Sequence, residues 1–156
     1  MGEKLKYWMG IDPGKKGAVA VLFENGRSTV VDCPKDVAGM AEVIHNILGE
    51  GIPSMTALEK VASMPGQGVK SMFSFGENFG AWQGILASNR IPHILPRPQA
   101  WMKGLIPPKS DKHMHVAVAR QQFPDQQFAG PRGGMKDGWA DALLLARYAK
   151  RYEGDM

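Results

Sequence analysis

The stretch "MGIDPGKKGAVAVLF", residues 9–23, constrains the fold of this 156-residue chain more than any other feature. An apolar run ends at an acid, Asp12, and a proline, two glycines and two lysines lead at once into a second apolar run. Alternation along the first run places Gly10 and Asp12 on one side of a strand, with Met9 and Ile11 on the other. The pattern predicts two strands joined by a tight, basic turn that begins at a carboxylate.

The rest of the chain predicts an α/β protein in which a mixed five-stranded sheet is covered by helices on both faces. Further strands are expected at 26–33, 54–61 and 91–97, and helices at 36–50, 73–90, 110–123 and from about 136 onward. Hairpin strands come first and helices then alternate with strands, which is typical of such folds. No internal repeat or linker marks a boundary, so residues 1–156 are expected to form one domain with its own core.

Composition argues against a membrane span and against a disulfide framework. The longest unbroken apolar run, residues 18–23, is far shorter than the roughly 20 residues that cross a bilayer. The N-terminus, "MGEKLKYW", lacks the apolar core of a secretory signal. The single cysteine, Cys33, has no partner for an internal disulfide. We therefore expect a cytoplasmic protein that does not associate with membranes.

The distribution of charge indicates a polyanionic partner. The formal net charge is +4, and residues 60–136 contain ten Lys and Arg but only three Asp and Glu. A basic surface gives salt-dependent affinity for phosphates. It supplies no chemistry, however, and many basic proteins bind no nucleic acid.

Four acidic residues lie next to apolar segments, where an ionised carboxylate needs a charged or hydrogen-bonding partner. Asp12 and Glu59 each follow an apolar strand, and Asp137 and Asp141 share one face of the last helix, next to the apolar run "ALLLA". Ionised carboxylates close to a core need a metal, a base or hydrogen-bond donors. A cluster of oxygen ligands alone suits Mg²⁺ or Mn²⁺. Each acid alone is compatible with a turn, cap or surface role, but the four together favour a metal site.

Four motifs in this order resemble the RuvC family of Holliday junction resolvases over about residues 7–150. They are "GIDPGKKGAVAVL", "ALEKV", "FSFGENFGAWQGILA" and "KDGWADALLLARYA". The glycine-rich third motif, and the spacing of four between the last two acids, resemble the phage and plastid branch of that family. The resemblance implies an RNase H-like fold and a crossover junction endodeoxyribonuclease of a bacterium or a phage-infected cell. Such an enzyme nicks four-way DNA symmetrically and leaves 5′-phosphate and 3′-hydroxyl ends.

The resemblance also implies site residues. Asp12, Glu59, Asp137 and Asp141 would hold two Mg²⁺ or Mn²⁺ ions at the scissile phosphate, and Lys112 would support the charged transition state. Residues expected to contact DNA are Lys15, Lys16, Met64, Gln67, Lys70, Lys103 and Lys109. In the bacterial enzymes an aromatic residue follows the catalytic Glu closely, whereas residues 62–72 of this chain contain no aromatic ring. Met64 or Gln67 is therefore expected to enter the junction.

Glycines recur every fourth residue in the predicted helix 73–90, although each costs roughly 1 kcal/mol relative to Ala inside a helix. One interpretation is that this helix packs closely on its own sheet. The other, implied by the resemblance, is a homodimer interface. Its expected residues are Phe75, Gly76, Phe79, Gly80, Trp82 and Gly84. A two-fold enzyme would match the two-fold symmetry of a four-way junction.

Other functions stay open from the sequence alone. An ATPase of the actin and sugar-kinase type begins with a similar hairpin but needs two such domains, so no nucleotide cofactor is expected. A nuclease for another branched or hybrid substrate, and a junction-binding protein that does not cleave, are also compatible. His113 and His115 diverge on a helix and make a poor zinc pair, and no cysteines are placed to complete a zinc site.

Overall fold

The computed structural model describes residues 4–61 and 65–156 and is built on a five-stranded sheet of order β3-β2-β1-β4-β5. The strands are β1 (Tyr7–Asp12), β2 (Ala18–Phe23), β3 (Ser28–Asp32), β4 (Met55–Leu58) and β5 (His93–Ile94). The first three pair antiparallel, whereas β1 with β4 and β4 with β5 pair parallel. The predicted mixed sheet is confirmed, although β5 occupies only two residues of the expected range.

Helices connect the parallel strands and follow the sheet. They are α1 (Val37–Ile47), α2 (Val69–Ser88), α3 (Pro98–Met102), α4 (Lys112–Gln122) and α5 (Asp137–Gly154). Aspartates cap two of them: Asp36 accepts from Gly39 N at 2.7 Å, and Asp111 accepts from Met114 N at 3.1 Å.

The start of α2 differs from its prediction. Helix geometry begins at Val69 rather than at 73, because Gly68 is extended and its carbonyl accepts from Met72 N at 2.9 Å. Residues 69–72, expected to belong to a loop, therefore form the first turn of α2. Lys70 consequently lies on this helix.

Alternation along β1 and β2 produces two separate cores. Trp8 and Ala20 face the side covered by α3, α4 and α5, while Met9, Ile11 and Val19 face the side covered by α1 and α2. The alternation predicted for β1 and the helices predicted on both faces are confirmed. Within the described residues, no helix is both long and apolar enough to cross a membrane.

Two glycines allow α5 to lie directly against β1 and the turn that follows it. A Cβ at Gly10 would lie 2.1 Å from the carbonyl oxygen of Ala142 and 2.4 Å from the amide nitrogen of Ala146. A Cβ at Gly138 would lie 2.0 Å from the carbonyl oxygen of Lys16. Since real Cβ atoms do not approach backbone so closely, any side chain at either position would push α5 away. This contact fixes the first turns of α5 beside the end of β1.

Candidate active site

Two of the predicted site acids meet because β1 and β4 are parallel neighbours. Ile11 pairs with Leu58, so both strands end at the same edge of the sheet. The next residues are Asp12 and Glu59, and Glu59 N donates to the carbonyl of Ile11 at 3.1 Å. A pair of parallel strands thus places two carboxylates side by side.

The other two acids come from the start of α5, which the close contact at Gly138 holds over this edge. Asp137 is the first residue of α5 and Asp141 follows one turn later. The charges of Asp137 and Asp141 both influence the titration of Asp12, so the helix brings its acids within electrostatic range of the strand ends. The structure therefore brings all four predicted acids together.

The turn after Asp12 is fixed from three directions. Gly14 N donates to Asp12 Oδ1 at 3.3 Å, and the Cys33 thiol donates to the Asp12 carbonyl at 3.2 Å. From α2, the side-chain amide of Asn78 donates to the carbonyl of Pro13. These contacts hold the backbone that carries Asp12.

Buried aromatic donors bind two of the acids. Trp101 on α3 donates its indole N–H to Glu59 Oε2 at 2.5 Å, and Glu59 is only 8% exposed. His115 on α4 lies with Nδ1 2.7 Å from Asp141 Oδ1. A carboxylate only accepts hydrogen bonds, so we assign the proton to Nδ1. The pKa of His115 is raised, chiefly by this hydrogen bond.

Lys112 lies at the rim of the acid cluster. Its Nζ is 3.5 Å from Asp137 Oδ2, and 69% of its side chain is exposed. Exposed ion pairs contribute little stability, so this lysine is available to a ligand that enters from solvent.

Burial, and to a smaller extent mutual repulsion, raise the pKa values of Asp12, Glu59 and Asp141. The pKa of Asp12 is raised to about 7, first by burial and then by the charges of Asp141 and Glu59. The pKa of Glu59 is also raised to about 7, mainly by burial, although the Trp101 hydrogen bond opposes the shift. Burial likewise raises the pKa of Asp141 against the effect of His115. Ionisation of these three carboxyl groups is therefore disfavoured in the metal-free protein.

Among the described residues, no three His, Cys, Asp or Glu side chains are already arranged to hold a metal ion. Glu59 and Asp141 each direct one oxygen toward an aromatic donor. The set is nevertheless made of oxygen ligands, as Mg²⁺ requires. The expectation of two metal ions stays a prediction.

The predicted DNA-contacting residues lie on several segments. Five of them are exposed on turns, loops and the first turn of α2: Lys15, Lys16, Lys70, Lys103 and Lys109. Gln67 is half-buried, and its amide donates to Ser71 Oγ at 3.1 Å. Met64 lies outside the described residues.

The predicted dimer surface on α2 needs one correction. Trp82 is fully buried in the protomer's own core, packed with residues such as Ile44 and Leu86, so it is not an interface residue. The glycines at 76, 80 and 84 lie on the opposite, open side, where an added Cβ would meet nothing within 4 Å. The helix does pack on the protomer's own sheet, as one interpretation expects, but it does so through Trp82 and Leu86 and not through these glycines.

Sequence reasoning missed Trp101, His115 and Asn78 as site residues. The spacing from Lys112 to His115 is one signal that could have indicated His115 as a site residue, because residues three apart share a helix face. Nothing in the local pattern singles out Trp101 or Asn78, which reach the site through contacts between distant segments.

Three solved proteins that this structure resembles are Holliday junction resolvases. Thermus thermophilus RuvC in complex with a Holliday junction substrate matches at a TM-score of 0.63 and 16% identity, with 96% of each chain covered. The yeast mitochondrial resolvase Ydc2 matches at 0.54 and 17% identity, over 94% of this chain and 78% of its own. Fowlpox virus resolvase, solved with Holliday junction DNA, matches at a TM-score of 0.50 and 15% identity, over 92% of this chain and 98% of its own.

No protein-family model matches the sequence, and no curated protein matches it significantly. The structural likeness covers nearly the whole chain at low identity, so what it establishes is architecture. This chain has the RuvC form of the RNase H-like fold, as its motifs predict.

Proposed function

We propose that this protein is a Holliday junction resolvase, a divalent-metal-dependent endonuclease that makes paired nicks in four-way DNA. The observation that carries the proposal is the convergence of Asp12, Glu59, Asp137 and Asp141 at one edge of a RuvC-like sheet. Resolvases with this architecture have been solved with Holliday junction DNA. We infer the same class of substrate for this chain.

The charge of the cluster supports a role for divalent cations. Carboxylates from β1, β4 and α5 are crowded in a largely buried site, and burial and repulsion disfavour their ionised forms. Within residues 4–61 and 65–156, Lys112 and His115 are the basic side chains that lie within ion-pair distance of these acids, and Lys112 is mostly exposed. Positive charge from Mg²⁺ or Mn²⁺ would relieve this repulsion, so we expect the four acids to hold two such ions.

The chain's own residues have distinct tasks in this proposal. Bound Mg²⁺ supplies Lewis-acid stabilisation of the charge that develops on the scissile phosphate. Asp12 and Glu59 follow two paired strands, which restricts the movement of the backbone that carries both acids. Lys112, which lies 3.5 Å from Asp137 at the rim, would pair with a phosphate oxygen of the bound DNA. Lys15 and Lys16 are exposed in the turn next to Asp12 and are proposed to contact the DNA backbone.

We also infer a homodimer that uses the open face of α2. Gly76, Gly80 and Gly84 form a flat strip there, with half-buried Phe75 and Phe79 beside it. Three glycines on an exposed helix face are unfavourable for a monomer, since each lowers helix stability by roughly 1 kcal/mol relative to Ala. A second copy packed against the strip would offset that cost. Two copies related by a two-fold axis would present one acid cluster to each of two opposed DNA strands.

Cleavage of a labelled four-way junction tests the proposed activity directly. With Mg²⁺ the wild-type protein is expected to nick the junction symmetrically and to leave duplex DNA and an RNA/DNA hybrid intact, whereas EDTA stops the reaction. Asp12→Asn or Glu59→Gln is expected to slow cleavage by about a thousandfold or more, equivalent to about 4 kcal/mol. Junction binding in a gel-shift assay should survive both changes, because the neutral side chains remove repulsion toward phosphate.

Asp125→Asn is a suitable control for that assay, since Asp125 is an exposed acid on the loop after α4. Its cleavage rate should equal that of the wild type. A wild-type protein that cuts the hybrid or the duplex as fast as the junction would contradict the assignment. So would a parallel loss of binding and cleavage in both cluster variants.

Neutralising Asp12 is expected to stabilise the metal-free protein at alkaline pH. The pKa of Asp12 is about 7 in the folded protein, above the usual value of 3.8. Between about pH 4 and pH 7 the folded protein therefore keeps a proton on Asp12 that the unfolded chain has released. Wild-type stability should therefore fall as pH rises from about 4 to 7. In urea unfolding with EDTA at pH 8, the free energy of unfolding of Asp12→Asn should exceed that of the wild type by a few kcal/mol, the size expected for a pKa raised from 3.8 to about 7. The difference should shrink at pH 5, and an unchanged or reversed difference would show that the cluster is not electrostatically strained.

The oligomeric state tests the α2 interface. Sedimentation should show a wild-type dimer at micromolar concentration and a Gly80→Leu monomer, because a leucine would hold the two helices apart. Ala117→Leu places the same side chain on the exposed face of α4 and should remain dimeric. A monomeric wild type, or a Gly80→Leu variant that still dimerises, would rule out this surface.

A further inference from the structure

The tryptophans of this chain share an unusual pattern of hydrogen bonding. Three of the four donate the indole N–H to a carboxylate: Trp8 to Glu153 at 3.1 Å, Trp101 to Glu59 at 2.5 Å and Trp139 to Asp32 at 2.7 Å. The bonds of Trp8 and Trp139 are made to acids outside the acid cluster. Only the Trp101 bond reaches an acid of the candidate active site.

Trp101 does not act alone, because its ring packs against His115. The two rings meet edge to face, with centroids 6.0 Å apart and planes at 89°. Trp101 is 2% exposed and His115 is 9% exposed, so neither presents a surface to DNA. The pair comes from α3 and α4 and binds two acids of the cluster, Glu59 and Asp141, from the buried side.

Each bond uses only one oxygen of its acid. Trp101 binds Oε2 of Glu59, and His115 binds Oδ1 of Asp141. Within residues 4–61 and 65–156, Glu59 Oε1 and Asp141 Oδ2 accept no hydrogen bond from a side chain or backbone group. Each carboxylate is therefore oriented by one oxygen while the other remains available as a ligand.

We propose that Trp101 and His115 are a pair of positioning residues that orient Glu59 and Asp141 for divalent-metal binding. The inference rests on the proposed function, in which these acids hold the ions. A free Glu side chain loses rotamer entropy when it is fixed. The aromatic donors fix both acids before any ion arrives, so this entropy is not lost again on binding.

The edge-to-face contact makes the two positioning bonds interdependent. His115 packs against the ring that holds Glu59, and it binds Asp141 itself. Movement of either ring would therefore disturb both carboxylates. Groups that orient metal-binding carboxylates in this way typically change metal affinity by about 10–100-fold when they are removed.

Titration of the DNA-free protein with Mn²⁺, followed by calorimetry, tests the proposal without relying on cleavage. Trp101→Phe keeps the buried ring and removes only the indole N–H. It is expected to weaken Mn²⁺ binding about tenfold or more. Trp8→Phe removes the matched bond to Glu153, at the far end of α5, and should bind Mn²⁺ as the wild type does.

A second pair of variants covers the case in which Trp101→Phe does not fold. His115→Leu removes the donor to Asp141 and should weaken Mn²⁺ binding, while His115→Asn retains an N–H near the position of Nδ1 and should restore most of it. Equal Mn²⁺ affinity in the wild type and Trp101→Phe, or equal affinity in the Leu and Asn variants, would overturn the proposal.

The outcomes also separate this inference from the proposed function. A wild-type protein that binds Mn²⁺ through the cluster but does not cut junctions would refute the activity and leave the positioning pair in place. A wild-type protein that binds no Mn²⁺ would overturn both. In junction cleavage, Trp101→Phe should raise the Mg²⁺ concentration needed for half-maximal rate, with a smaller change in rate at saturating Mg²⁺. A merely structural role would leave that Mg²⁺ requirement unchanged.

Discussion

Burial of crowded carboxylates is the constraint on which the rest of this structure depends. Asp12, Glu59 and Asp141 all have pKa values raised by burial, and each lies within range of other acids. The fold forces this crowding through parallel strand ends and through a helix that packs directly against a strand. At Gly10 and Gly138 there is no room for a side chain, so the helix lies close enough to deliver its acids.

The same constraint explains the contacts around the cluster. Donors from α3 and α4 bind two of the acids, and the turn after Asp12 is held by a backbone amide, a thiol and the amide of Asn78. Asn78 lies on α2, on the helix that we propose for the dimer interface. That helix therefore contacts the backbone next to Asp12 through one hydrogen bond.

Local patterns predicted the parts of the fold that local physics controls. Alternation in β1 assigns Met9 and Ile11 to one core and Trp8 to the other, and the four-residue spacing of Asp137 and Asp141 places them on one helix face. Contacts between distant segments were not accessible in this way. Whether Trp82 faces a partner or its own core depends on the rotation of α2 about its axis relative to the sheet. The hydrogen bonds of Trp101 and His115 depend on where α3 and α4 pack against the sheet.

The central claim is that these four acids form one divalent-metal site. Anomalous scattering from crystals grown with Mn²⁺ would test it most directly, because the signal locates each ion without reference to activity. Anomalous peaks are expected among the carboxylates of Asp12, Glu59 and Asp141, with Asp137 at the edge of this group. Strong peaks elsewhere on the protein, with none among these carboxylates at saturating Mn²⁺, would contradict it.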